Sequence, residues 1–395
     1  MRLSHLHLPN PISYTHSLKL QEALLEKHFI HKTLLRNNPS TLQPSNAPPP
    51  TLLTFQTHPT YTVGRRHLKT NPLSSSQISF LTGASSSPTN TNTNTNKPTS
   101  TPQSTQFSEN GDMAAATFYP SPRGGLLTYH APGQLTAYLI LDLRTHALTP
   151  RCYIRLLEHT VIRTCARHGV PNTLTTEDPG VWIGEYNAKD NAGLYDATTS
   201  TNNSDTDTQL LPSTRTTNSN ANSDISESAP NQQKPTLTPT TRKICAIGVH
   251  VSRGITSHGI GLNVYDAPFP PALQHLYTSS QLPTPRNAND TAPPQHLNRD
   301  QNLDQDKVEK QEAQGYLSWG FRRIVACGLE GKSVTWLSRE QHSAHTSLSN
   351  DTTPRPGIEM EDVATTLAQE VARSLGIDTG AGNGVQSIGE DDVFN

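Results

Sequence analysis

Two short apolar blocks each carry one side chain able to do acyl chemistry. They are Arg242-Lys243-Ile244-Cys245-Ala246-Ile247-Gly248 and Ile324-Val325-Ala326-Cys327-Gly328-Leu329. An ordinary cysteine titrates near about 8.5, so a working thiolate at neutral pH needs a base or a cation beside it. Lys243 opens an apolar run. Desolvation there lowers a lysine's pKa, so that it can take the thiol proton or stay as an ammonium beside the thiolate. Cys327 is followed at once by Gly328, which lets the backbone turn and a substrate approach the sulfur. Cys245 is the rival nucleophile. In an unbroken strand it shares a face with Lys243, but parallel neighbours do not converge on a third atom as nucleophile and base must. Taken singly, each residue has a plainer reading. A free cysteine is commonly a small buried hydrophobe, and a strand-end lysine commonly snorkels to solvent. Cys152 and Cys165 fall on a helix pattern and read as structural.

A third block, Arg123-Gly124-Gly125-Leu126-Leu127-Thr128-Tyr129-His130-Ala131-Pro132-Gly133-Gln134-Leu135, reads as a glycine-rich pocket wall. Two glycines ahead of a strand let main-chain N–H groups face a carbonyl or an acyl chain. His130 and His258, each alone, read as hydrogen-bonded structural residues. No Walker-type phosphate loop is present, and no G-x-G-x-x-G opens a helix after a strand. The cysteines are widely spaced, with no C-x-x-C and no Cys/His cluster. That pattern indicates no metal site and no disulfide scaffold, and it suits a reducing compartment.

The chain has 395 residues but only 32% are hydrophobic, against roughly 45–50% in an average globular chain. Pro, Ser, Thr and Asn are heavily used, and the apolar residues are unevenly placed. One domain diluted by polar inserts fits better than several domains. The net charge of −2 gives no electrostatic argument for nucleic acid or an anionic membrane. There is no apolar run of about 18 residues, so no membrane span is expected, and the N-terminus has no signal-peptide core. Its basic residues (Arg2, Lys19, Lys27, Lys32, Arg36) outnumber Glu22 and Glu26, an organellar-targeting hint.

The elements that must position these blocks follow from periodicity. A strand is expected over residues 3–8, broken at Pro9, then a helix over 15–37. Strands follow around the His58-Pro59 turn between Leu52 and Val63, then over Gly125–Tyr129 and Leu135–Leu143. An amphipathic helix spans 150–168, with Ile154, Leu157, Val161, Ile162 and Cys165 on one face and Gly169 at its end. A turn enters a strand at Pro179–Gly184, and strands run over Lys243–Ser252, Thr256–Val264 and Val334–Leu337. A last helix covers about 358–375. Polar, low-complexity inserts are expected at about 70–116, 187–240, 283–313 and 340–357, inside a single domain over 1–380 with a flexible tail at 381–395. Without the inserts roughly 240 residues remain, a normal size for one α+β domain. Inserts fit only in surface loops, so a common sheet must stitch the blocks together.

Taken together, the blocks resemble the lipoyl/octanoyl protein transferases of lipoate biosynthesis. The matching pieces are Arg123-Gly124-Gly125-x-x-Thr128-Tyr129-His130-x-Pro132-Gly133-Gln134-Leu135 and Gly180-Val181-Trp182-Ile183-Gly184. Then come Lys243-Ile244-x-Ala246-Ile247-Gly248-Val249, Ser257-His258-Gly259-x-x-Leu262-Asn263-Val264, and Cys327-Gly328 with Val334-Thr335. The resemblance implies an α+β fold like that of biotin and lipoate protein ligases, with a mixed sheet flanked by helices. It implies octanoyl transfer, with no cofactor, from octanoyl-acyl carrier protein to a lysine on lipoyl domains. These are the lipoyl domains of 2-oxoacid dehydrogenases and the glycine cleavage H protein. The family's acyl-thioester cysteine maps to Cys327, and the lysine that lowers its pKa maps to Lys243. Acyl-chain and thioester contacts map to Arg123, Gly124, Gly125, Leu126, Leu127, Thr128, Tyr129 and His130, to Ala246, Ile247 and Gly248, and to Gly259, Ile260 and Gly261. The resemblance also implies a mitochondrial setting and, from the large inserts, a eukaryotic, fungal-type member. Three departures stand out: Ala131 for the usual Gly, Gly261 for the usual Ala, and Trp336 where a small residue is usual, which bears on acyl chain length. Two rivals remain open: an ATP-dependent ligase of the same fold, for which Gly64-Arg65-Arg66 is a poor adenylate loop, and a non-catalytic scaffold.

Overall fold

The sheet is organised around one long hairpin, β9 (Arg242–Ser252) and β10 (Ile255–Asn263). Arg253 and Gly254 turn it with φ of 51° and 83°, the positive-φ pair that matches the right-handed twist of the flanking strands. The computed structural model describes residues 2–37, 47–83, 114–184, 241–278, 315–324, 333–348, 357–377 and 384–394. Among them β1 (Leu3–Ile12), β2 (Thr51–Thr57), β6 (Gln134–Ile140), β7 (Thr173–Leu174), β8 (Gly180–Ile183), β11 (Ser333–Val334) and β12 (Val385–Ser387) complete the sheet. The order is β12-β1-β2-β6-β10-β9-β8-β7, with β11 beside β9. Pairing is parallel for β12/β1, β1/β2 and β9/β11 and antiparallel elsewhere. This is the mixed sheet expected of the α+β fold.

Helices cover both faces. On one, α4 (Pro150–Arg167) packs with the amphipathic helix over Met360–Ser374 against Leu139, Val181, Cys245 and Leu262. The α4 helix starts where Thr149 Oγ1 accepts from Cys152 N at 3.1 Å, with Pro150 following. Arg163 and Arg167 of α4 each meet buried Glu370 at 2.7 Å and join the two helices. On the other face α1 (Tyr14–Asn37) lays Leu20 and Leu24 over Leu53, Phe55, Tyr138 and Ile140. A separate three-stranded sheet, β4-β3-β5 (Thr117–Ser121, Thr60–Gly64, Thr128–His130), carries an aromatic cluster of Tyr61, Tyr129, Tyr277, Tyr316 and Trp319.

Several expectations are corrected. The first strand runs on through Pro9 and Pro11 to Ile12. Its pairing to β12 ends at His5, and its register on β2 shifts between Leu8 and Ile12, so the prolines fall where no ladder bond is needed. The short α2 (Arg65–Thr70) is followed, inside the segment 70–116, by α3 (Ser75–Thr82), nucleated by a reciprocal Ser74/Gln77 capping box. The residues following Val334 are not a strand to Leu337, and 340–357 is not wholly a linker. A helix runs over Leu337–Leu348, anchored by buried Leu337 and by Glu340. The segment from 381 supplies β12 and a short helix at Asp391–Phe394, whose Val393 is buried beside α1's residues. The inserts at 187–240 and 283–313 lie outside the described residues.

Candidate active site

Spacing alone puts Lys243 and Cys245 on one face of β9. The structure puts them on opposite faces. Against β8, Val181 pairs with Cys245 and Trp182 with Lys243, so Ile244 is an extra residue. Such a bulge sets two residues against one and reverses the alternation beyond it. Cys245 and Ile244 turn into the apolar core under α4. Lys243 turns the other way, to the face of Gly180 and Ala246, its Nζ 4.8 Å from the Trp182 ring and 3.4 Å from the Pro179 carbonyl. Gly180 is required there. With φ at 146°, a Cβ on it would lie 2.7 Å from Lys243 Cε and 2.8 Å from the Cys245 carbonyl oxygen.

Two of the quoted blocks meet directly across the hairpin. Ala246 stands opposite Gly261, Ile247 opposite Ile260, and Gly248 opposite Gly259. The Gly248 face is paved with small residues and backbone. A Cβ on Gly248 would press on Arg123 Cδ and the Gly124 carbonyl oxygen at 3.2 and 3.3 Å. The third block therefore closes on the same patch, and Gly124 N donates to the Val249 carbonyl at 3.3 Å. Ile247 and Ile260, expected beside an acyl chain, send their side chains into the core on the opposite face.

Within the third block the side chains mostly build the wall. The Arg123 guanidinium donates to the Thr62 carbonyl and Oγ1, both at 2.8 Å, and to the carbonyls of Gly124 and Leu126. Gly125 takes a φ of 102° in this loop. Thr128 pairs with Thr62, and Leu127 packs on the aromatic cluster. Tyr129 is fully buried against Tyr61 and Trp319. Trp336 also packs on that cluster. His130 is buried, and burial first and the Arg123 charge second bring its pKa down to about 4.

A buried hydrogen-bond chain links the blocks, and sequence reasoning missed its members. His130 Nδ1 donates to Gln134 Oε1 at 2.6 Å, because the Gln134 amide nitrogen donates to the Tyr129 carbonyl and to Asn263 Oδ1 at 2.9 Å. Asn263 Nδ2 donates to the Thr335 carbonyl at 2.9 Å. Thr335 Oγ1 donates to Glu340 at 2.5 Å, and Arg242 grips the same carboxylate at 3.0 and 2.9 Å. Thr335 N in turn donates to the Lys243 carbonyl at 2.9 Å. The chain thus ties His130 to the segment that follows Cys327 and to Lys243 itself. Gln134 and Asn263 lie inside the blocks quoted above, but nothing in their spacing marks them as partners. Cys327 lies outside the described residues. Among the described residues no group of three His, Cys, Asp or Glu side chains is placed to hold a metal.

The profile of the lipoyl protein ligase A/B catalytic domain matches residues 112–281. A probable octanoyltransferase of Schizosaccharomyces pombe is 26% identical over 66% of this chain and 74% of its own length. A mitochondrial octanoyl-acyl-carrier-protein:protein N-octanoyltransferase of Danio rerio is 26% identical over 83% of this chain and 79% of its own. An octanoyltransferase of Flavobacterium psychrophilum is 32% identical over 38% of this chain and 44% of its own.

These matches support an octanoyltransferase assignment. The chain is a transferase of protein lipoylation, and the hairpin face with Lys243 is the part of this octanoyltransferase where three of its blocks converge. No described helix of it is long and apolar enough to cross a membrane.

Proposed function

We propose that this octanoyltransferase moves an octanoyl group from octanoyl-acyl carrier protein to the ε-amine of a lysine on lipoyl domains, by way of a thioester on Cys327. The observation that carries the reading is the bulge at Ile244, which turns Lys243 onto the glycine-paved face. Chain length supports the pairing with Cys327. That cysteine is three residues from Ile324, which packs in the cluster with Tyr129, and six from Ser333, which pairs with Arg242. At about 3.3–3.6 Å per residue it is held within about 11 Å of one and about 22 Å of the other.

In the first step Lys243 takes the Cys327 thiol proton, and the thiolate attacks the donor thioester carbonyl. The carrier thiolate leaves and takes that proton from Lys243, which is neutral again for the second step. Exchange between thioesters is near thermoneutral, so it needs positioning more than driving force. In the second step the acceptor amine attacks the acyl-enzyme, its proton passes to Lys243, and Cys327 leaves as thiolate. The small residues at 248, 259 and 261 let Arg123, Gly124, Ala137 and Gln134 close on the sheet, and each methylene of the acyl chain buried against such a wall contributes about 0.8 kcal/mol. The acceptors are lipoyl domains of 2-oxoacid dehydrogenases and the H protein, the setting is mitochondrial, and one catalytic domain carries the chemistry. The test is transfer to a purified lipoyl domain. Octanoyl-acyl carrier protein alone should suffice; transfer that occurs only with octanoate and ATP would replace this reading with the ligase.

A further inference from the structure

A second cleft of about 450 Å³ opens between α1, β4 and the turn end of the β9/β10 hairpin. None of the residues expected to hold the acyl group lines it. Lys243 is seven residues up the strand from its nearest wall residue, His250, or about 23 Å at the usual strand rise. Arg123 and Gly124 close on the sheet between the two places, at Gly248 and Val249.

His258 in the wall of this cleft is 1% exposed, and neither ring nitrogen has a hydrogen-bond partner. Its backbone is held at φ 57°, a region costly for a residue with a Cβ. The surroundings enforce that conformation. Its N–H donates to Gln21 Oε1 at 2.6 Å, and Tyr138 meets the ring edge-on at 5.3 Å. A neutral imidazole offers one donor and one acceptor, and burying both without partners is unfavourable. The charged groups felt at the ring are Arg123, His250, His130 and Arg65, all of one sign when protonated. Arg65 and His250 line the cleft with it, together with the hydroxyl-bearing Ser257, and Glu22 of α1 is the acid on its wall. Leu18, Leu25, Phe29 and Phe118 supply the remaining apolar wall.

We propose that this cleft is a second ligand site, which takes an oxyanion, carboxylate or phosphate, borne on an apolar body. His258 and Arg65 bind the anion, and the α1 and β4 side chains bind the body. The proposal stands apart from the acyl-transfer reading, because its test needs no turnover. The full chain with labelled histidine rings is titrated separately with octanoate, inorganic phosphate and 1-octanol. Variants are Arg65→Gln, an exposed position, and His258→Asn, which tolerates positive φ; thermal melting shows that both fold. Octanoate should shift the His258 ring resonances saturably, with affinity at least tenfold weaker in both variants. An equal response to inorganic phosphate would assign the anion to free phosphate. No shift with either anion, octanol binding as tightly as octanoate, or affinity unchanged in both variants would each overturn the proposal.

Discussion

The two faces of β9 are built differently although the same eleven residues supply both. One side holds Cys245, Ile247 and Val249 against α4 and the Met360–Ser374 helix, in a core closed to water. The other holds Lys243, Ala246 and Gly248, small or polar, beside a hydrogen-bonded chain of His130, Gln134, Asn263, Thr335 and Glu340. The apolar side supplies stability. The other side gives that up for close backbone approach and directed polar groups. The extra position at Ile244 sets the side to which Lys243 belongs.

The sharpest way to break this contrast is to act on the bulge. Exchanging the two residues, Lys243→Ile with Ile244→Lys, moves the amine to the position that faces the core. Turnover should then fall about as far as in Lys243→Ala, by about 10²–10⁴-fold, the usual worth of a positioned proton-transfer group. Cys245→Ala, on the opposite face, should keep its turnover. Steady-state kinetics on the exchanged pair, Lys243→Ala and Cys245→Ala checks this, and full activity of the exchanged pair would refute the facial assignment.

The apolar side should answer in stability instead. Leu262→Ala removes a fully buried side chain and should cost about 2–5 kcal/mol in denaturant unfolding. On the glycine-paved side, Gly259→Ala, whose Cβ would collide with the Ala137 carbonyl, should cost about 1–3 kcal/mol by overpacking. Between the two sides, Asn263→Ala strands the Gln134 amide and the Thr335 carbonyl. It should cost about 1–3 kcal/mol and also lower kcat, which Leu262→Ala should not do in proportion.

The remaining effect is in acid. Burial brings His5, His28 and His130 down to about 4 and His258 to about 3. Unfolded histidines titrate near about 6.5. Between those values the unfolded chain binds more protons, so stability is whole above pH about 6.5 and declines as pH falls toward 4. Melting temperature followed from pH 7 to 4.5 should drop, and His130→Asn should flatten the slope by about one proton.

Much of this was readable from residues alone. The strands of the β9/β10 hairpin and the α4 and C-terminal helices follow from periodicity, and the Arg123, Ala246 and Gly259 blocks meet as a shared sheet requires. The bulge was not readable, because Ile244 looks like any strand residue and only the partner strand reveals the extra position. Nor was the Gln134–Asn263–Thr335 chain, since hydrogen bonds between residues 129 and 72 positions apart leave no local pattern. The helix at Leu337–Leu348 was hidden by polar composition. Its first turn is held by the tertiary Arg242–Glu340 pair rather than by an apolar stripe.

The central claim is that Lys243, and not its neighbour Cys245, works on the glycine-paved face with Cys327. Intact-mass spectrometry after mixing with octanoyl-acyl carrier protein, without ATP, addresses it directly. The account predicts a hydroxylamine-sensitive octanoyl adduct that forms in the wild type and in Cys245→Ala, slows in Lys243→Ala and is absent in Cys327→Ala. An adduct that persists in Cys327→Ala and disappears in Cys245→Ala would contradict it.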